Sequence, residues 1–438
     1  MSRLTKALFV TWSALTRTTE RATRRRGARY FLPALFVDRF ANMGCLDKAL
    51  FTRQLEACRT FEDAGWVSYW RDLADGHLAA ADVELARLGA PSTDRILAPG
   101  GEATAAELGD ALAPAVLVLA DRTPETARAL LDDFVAAHPD DRPAAVAIDE
   151  LVKAMTYLFA ASWPGWSPQR LRAYDDSQRI LHVLLLGLAP HVGFQAERIE
   201  LDIDGEDAVA YGVFPGGDHE CPTILVSNGL EGTIQEALLP ALRLRDRGLA
   251  MVTMEMPSTF QYRRPLSLET EGMYDAVIEQ LAAHPRVDAD HMGMMGISFG
   301  AHWSTRMAAR SPRLKAVVSN GGLYHRSFGP VSTLGMPEIM LRTLKQTTGA
   351  ANLPDLGHKL DALSLKKVYA SIPVPVLALN GDSDTLASTQ DTIDLAEHAP
   401  LGELLLYPGD DHCAMGHYTQ WLDTSTTWLQ EKLGQHPR

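Results

Sequence analysis

Apolar residues follow two different rhythms along the chain. From Leu4 to about Leu188 they recur at helical spacing, as in Leu78, Val83 and Leu85, or Leu151, Met155, Leu158 and Phe159. Clusters of proline and glycine at Gly89 to Pro91, Pro99 to Gly101, Pro139 to Pro143 and Pro164 to Pro168 divide this half into several helices. After Pro190 continuous and alternating apolar runs take over. They are Ile199 to Ile203, Val209 to Phe214, Thr223 to Val226, Leu249 to Met254, Met292 to Ile297, Leu314 to Val318, Val374 to Leu379 and Glu403 to Tyr407. Helical patterns at Ile234 to Arg247, Leu268 to Ala283, Ala301 to Arg310 and Thr389 to Glu397 separate most of the later runs.

Strand alternating with helix predicts a mainly parallel sheet with helices on both faces. The first two runs, joined by Asp204-Gly205, predict an antiparallel hairpin instead. The expected organisation is a helical domain over 1–190 and an α/β domain over 191–438. Residues 323–372 interrupt the α/β rhythm with Pro330, Gly335, Pro337, Gly349, Pro354 and Gly357. They read as an inserted, lid-like segment able to close over the carboxyl ends of the strands, or as a long surface excursion.

Composition narrows the function. With 41 basic against 55 acidic side chains the net charge is −14, which repels phosphate backbones and anionic lipid surfaces. The expected partner is a small-molecule substrate, with no nucleic acid and no membrane. Cys45, Cys58, Cys221 and Cys413 show neither disulfide-framework nor zinc-ribbon spacing, which fits a reducing cytoplasm. Residues 1–30 run against the acidic trend, with eight arginines and lysines facing Glu20 alone. Thr11 and Ser13 break the apolar stretch there, so a basic first helix is expected rather than a secretory signal.

The chemistry concentrates in the second half. Gly296-Ile297-Ser298-Phe299-Gly300 stands between a strand and a helix, where two glycines let a serine occupy a strained turn with its hydroxyl exposed. A serine hydroxyl is a poor nucleophile at neutral pH, so it needs a base, and the base needs an orienting partner. Asn380-Gly381-Asp382-Ser383-Asp384 follows the strand ending at Leu379, and Asp384 is the expected acid with Asp382 as its alternative. His412 follows the last strand as the expected base, with His417 as its rival. Asp410, Asp411, His412 and His417 share one loop but lack a recognised metal spacing, and Cys413 reads as a small packing residue rather than a thiol nucleophile.

Acyl transfer also requires oxyanion donors. One is the backbone N–H of Phe299; a second falls in Asn228-Gly229-Leu230-Glu231-Gly232, at Leu230 or Glu231. The Glu231 side chain reads equally as a polar group aimed into the pocket and as a carboxylate near a helix N-terminus. Tyr157, Trp163, Trp166, Tyr174 and His182 are candidate substrate contacts in the helical half, or packing residues of its own core.

Over roughly residues 148–417 the chain resembles the FrsA-like esterases, a group that also includes fungal polyketide-shortening hydrolases and 2,6-dihydroxypseudooxynicotine hydrolase. The motifs carrying the resemblance are Asn228-Gly229-Leu230-Glu231, Glu255-Met256-Pro257-Ser258, Gly296 to Gly300 and Leu314 to Val318. The resemblance implies an α/β-hydrolase fold with a helical N-terminal cap, no metal or organic cofactor, and often a homodimer. It implies cleavage of an ester, or of a carbon-carbon bond beside a ketone, in an aromatic or polyketide-like metabolite. An acyltransferase, cyclase or lyase using the same triad without water is an alternative. So is a non-catalytic binding protein on the same fold.

Overall fold

The computed structural model describes residues 3–165, 167–203, 205–260, 262, 264–329 and 334–434. Apolar side chains of alternating direction build the centre of its second half. Along Val376–Gly381, Val376 and Ala378 pack on one face while Leu377 and Leu379 pack on the other. A strand covered on both faces is apolar at successive positions, which is why such segments read as unbroken runs.

Eight strands form one sheet: β1 (Phe194–Ile203), β2 (Glu206–Pro215), β3 (Cys221–Ser227), β4 (Ala250–Met254), β5 (Val287–Ile297), β6 (Leu314–Asn320), β7 (Val376–Gly381) and β8 (Gly402–Tyr407). Their order is β1-β2-β4-β3-β5-β6-β7-β8. β2 is antiparallel to both β1 and β4, and every other neighbouring pair is parallel. From β3 the chain steps to β4 on one side and then to β5 on the other. The crevice outside the carboxyl ends of β3 and β5 is therefore a topological switch point, the usual place for a ligand in an open α/β sheet.

The β1–β2 hairpin pairs Ile203 with Glu206 around Gly205, whose φ of 80° suits a tight turn; Asp204 lies outside the described residues. β1 starts at Phe194 rather than Ile199, because this edge strand exposes Gln195, Glu197 and Glu200 and so hides its period among polar residues. The helical pattern from Ile234 splits into an α-helix Ile234–Ala241 and a 3₁₀ segment Leu242–Arg247, with Pro240 near the junction.

The first half is a layer of helices. Arg142–Ser162 is buried on nearly all sides and packs between Asp63–Leu88 and Pro168–Leu188. The apolar core of this layer continues into Phe194, Tyr211 and Val213 of the sheet, into Ile234 and Leu238 beyond it, and out to Ile339. Among its described residues the segment 323–372 carries two short α-helices, Glu338–Thr347 and Leu353–Ala362. The first of these rests against helix Arg3–Leu15, and the Gly335 N–H donates to Thr11 Oγ1 at 2.7 Å. Among the described residues no helix is long and apolar enough to cross a membrane.

Candidate active site

β5 runs through Gly296 and Ile297 to Ser298, and the next helix starts at Phe299. Ser298 has φ 57° and ψ −120°, a conformation that L-residues adopt only under constraint from their surroundings. The two glycines supply the room. A Cβ on Gly296 would lie 2.3 Å from the Gly300 carbonyl oxygen, and one on Gly300 would lie 2.2 Å from the Ser227 carbonyl oxygen. The Ser298 N–H donates to the Asn320 carbonyl at 2.7 Å, tying the turn to the end of β6.

Ser298 Oγ lies 2.8 Å from His412 Nε2, and His412 Nδ1 lies 2.8 Å from Asp384 Oδ2. The Asp384 side chain is 0% exposed, yet it accepts from Asn380 Nδ2 at 2.8 Å, from the Leu386 N–H at 2.7 Å and from the Ala387 N–H at 2.8 Å. Burial pushes its carboxyl up, but His412 and these donors outweigh burial and hold it below the usual carboxylate range. An ionised carboxylate can only accept, so His412 Nδ1 carries a hydrogen, and in the neutral imidazole Nε2 is the atom left to accept from the serine. Burial alone would lower the imidazole; Asp384 beside it reverses that and raises it well above an ordinary histidine.

The alternative residues are occupied elsewhere. Asp382 Oδ1 accepts from the Ser383 hydroxyl and the Gly409 N–H, both at 2.8 Å. His417 Nδ1 pairs with Asp410 Oδ2 at 2.7 Å, and Asp411 holds the Thr385 and His412 N–H groups. Among the described residues no group of three or more His, Cys, Asp or Glu side chains could hold a metal ion. Buried Cys413 turns its Sγ to the Asn320 carbonyl at 3.5 Å.

The turn after β3 closes the site from the other side. A Cβ on Gly229 would lie 2.6 Å from Ser298 Cβ, so glycine lets this turn approach the serine. Phe299 opens its helix, leaving its N–H without an intrahelical acceptor. Phe299, Leu230 and Glu231 line one pocket with Ser298 and His412. Of the aromatic candidates of the helical half, the described ones, Tyr157, Trp163, Tyr174 and His182, do not line this pocket. Tyr157 lies in the helical core, stacked on His77 and bonded to Gln54 Oε1. Tyr174 bonds Glu255 Oε2 and stacks on Phe260, while His182 bonds the Tyr211 hydroxyl. Trp166 lies outside the described residues. Trp163 is buried behind the pocket and reaches it through one bond, from Nε1 to Glu231 Oε2 at 2.6 Å.

The family model for esterase FrsA-like proteins matches residues 129–434. The chain belongs to the FrsA-like family. The esterase FrsA of Photobacterium profundum is 28% identical over 299 residues, which span 66% of this chain and 70% of that protein. A 2,6-dihydropseudooxynicotine hydrolase of Paenarthrobacter nicotinovorans is 30% identical over 233 residues, 51% of this chain and 61% of its own. Among solved structures, AbyA5 superposes with a TM-score of 0.58 at 22% identity, covering 65% of this chain and 80% of its own. The 2,6-dihydroxy-pseudo-oxynicotine hydrolase does so with 0.56 at 22% identity, covering 80% and 96%. The fold is that of an α/β-hydrolase, and the family is one of hydrolases.

Sequence reasoning missed most of this FrsA-like pocket. Its apolar wall comes from Leu35 and Phe36 of helix Leu35–Gly44 and from Met336, Met340 and Leu344 of the inserted segment. Asn42, on the same helix as Leu35, donates to the Met415 carbonyl at 2.8 Å and so braces the His412 loop from the helical layer. Asn380 is a second brace, its Oδ1 accepting from the Cys413 N–H at 2.9 Å while its Nδ2 serves Asp384. Its position at the end of an apolar strand was the available signal. The Glu231 side chain does not cap the following helix, whose N-cap is Thr233; it turns to Trp163.

Proposed function

We propose that the chain is a serine hydrolase that cleaves an ester, or a carbon-carbon bond beside a ketone, through an acyl-Ser298 intermediate. The observation that carries this reading is the unbroken hydrogen-bond chain from Ser298 through His412 to Asp384. As Oγ adds to the substrate carbonyl, its proton passes to His412 Nε2, and Asp384 stabilises the imidazolium that results. The N–H groups of Phe299 and of Leu230 or Glu231 receive the developing oxyanion. Collapse expels an alkoxide or a stabilised carbanion, which takes the proton back from His412. Water, deprotonated by the same nitrogen, then releases the acid.

The ester reading draws on the FrsA relatives and the carbon-carbon reading on the 2,6-dihydropseudooxynicotine hydrolase. The apolar wall of Leu35, Phe36, Met340 and Leu344 supports an aryl or polyketide-like substrate over a charged one. A fluorophosphonate should label the folded protein, and labelling should vanish in Ser298→Ala and survive in Ser371→Ala. A folded protein that does not label overturns the reading in favour of a binding protein. Turnover in ¹⁸O-labelled water should place heavy oxygen in the acid product; its absence would replace hydrolysis with acyl transfer or elimination.

A further inference from the structure

Glu231 is unlike the rest of the pocket wall. It sits two residues beyond Gly229, the residue that touches Ser298, and holds a left-handed φ of 57°. It is 1% exposed, and among the described residues its only side-chain hydrogen bond of ordinary geometry is the one from Trp163 Nε1 to Oε2. Among the described residues Oε1 makes no hydrogen bond of ordinary geometry, and the Thr343 hydroxyl near it gives its hydrogen to the Ile339 carbonyl. Arg39 opposes burial only through space: its Nε is bound to Glu236 Oε2 at 2.6 Å, and its Nη2 reaches Glu231 at the backbone carbonyl. Burial accordingly pushes the Glu231 carboxyl up to about 7. Since the indole N–H donates to Oε2, the proton of the neutral acid sits on Oε1. Glu231 lines the pocket beside Ser298, and its Oε1 makes no hydrogen bond among the described residues, so a ligand oxygen placed there would complete it.

We propose that Glu231 is a specificity-determining residue: its Oε1–H donates a hydrogen bond to a substrate oxygen other than the one Ser298 attacks, selecting substrates with a second oxygen acceptor. This rests on the serine-hydrolase reading above. Glu231→Gln would keep the arrangement, the amide carbonyl facing Trp163 and the amide N–H replacing the acid hydrogen, whereas Glu231→Leu would remove the donor.

The test compares kcat/KM for p-nitrophenyl 4-oxopentanoate and p-nitrophenyl pentanoate. The charged or titratable groups facing the same pocket are Arg39, Glu236, His412 and Cys413. Both esters need His412 equally, so its titration cancels in the ratio. The wild-type ratio should favour the oxo-ester at pH 6 and fall roughly tenfold by pH 8.5, as the donor is lost. Glu231→Gln should give a ratio independent of pH, and Glu231→Leu a ratio near one, in protein that still labels with fluorophosphonate. A wild-type ratio that does not move with pH overturns the assignment, whether or not the leucine variant folds. Turnover of both esters that survives Ser298→Ala would instead overturn the serine-hydrolase reading, and this inference with it.

Discussion

Two buried carboxyls stand near Ser298, one in the loop after β7 and one in the turn after β3, and their surroundings treat them in opposite ways. Asp384 accepts from Asn380, from the Leu386 and Ala387 N–H groups and from His412, and its carboxyl falls below the usual range despite burial. Among the described residues Glu231 accepts an ordinary hydrogen bond from Trp163 alone, and burial raises it to about 7. Depth does not separate them, since both are almost wholly enclosed. The positive charge His412 takes on beside Asp384, together with the donors aimed at its oxygens, does. Two carboxyls whose surroundings drive them apart can divide the work, one fixing a base and the other presenting a proton.

The strongest test of that division is Asp384→Asn. It leaves the shape intact but removes the charge that fixes the His412 tautomer, and kcat should fall by about 10⁴-fold. Asp382→Asn, in which only local turn bonds change, should stay within roughly threefold of wild type. Steady-state rates on an activated ester measure both. A larger loss in the second variant would exchange the roles of the two aspartates.

What could be read ahead of the structure follows the same line. Ser298, Asp384 and His412 each stand just past an apolar strand and inside a run of turn residues, so strand, turn and reactive side chain are adjacent in sequence. Nothing local marks the pocket wall. Leu35, Phe36, Met340 and Leu344 are apolar for the same reason whether they meet a substrate or a neighbouring helix, and the inserted segment and the first helices are brought together only by packing. Aromatic clustering misleads in the same way: Tyr157 and Tyr174 share a region of sequence, yet one helix face turns Tyr157 into the core and another sends Tyr174 to Glu255. The Trp163 bond to Glu231 joins residues 68 apart, so the isolation of Glu231 is a property of tertiary structure. The apolar core likewise runs across residue 190, where composition alone changes abruptly.

A middle-sized effect separates the carboxyls by stability. Below about pH 4.5 Glu231 is protonated in both folded and unfolded chains. Between 4.5 and about 7 the unfolded chain has released its proton while the folded one keeps it, so stability falls as pH rises, by roughly 3 kcal/mol across the window. Glu231→Gln should remove that slope and be the more stable protein at pH 8, as read from urea midpoints at pH 5 and 8. Asp384 works with the opposite sign: its lowered carboxyl adds stability above its unfolded value, and that stability is lost as pH falls through the folded one. A Glu231→Gln midpoint that moves with pH as the wild type does would end the contrast.

The smallest effect probes the single donor. Trp163→Phe keeps an aromatic ring against Phe36, whose centroid lies 4.6 Å from that of the indole, but removes the N–H to Oε2. A hydrogen bond to a carboxylate favours its charged form, so without it Glu231 should hold its proton to higher pH. The pH midpoint of the oxo-ester ratio should rise by about one unit, equivalent to about 1.4 kcal/mol. Asn380→Ala, which deletes one of the several donors to Asp384, should leave that midpoint unmoved, because it acts on the other carboxyl. If Trp163→Phe leaves it unmoved as well, the indole does not distinguish the two protonation states of Glu231, and the acid hydrogen is not confined to Oε1.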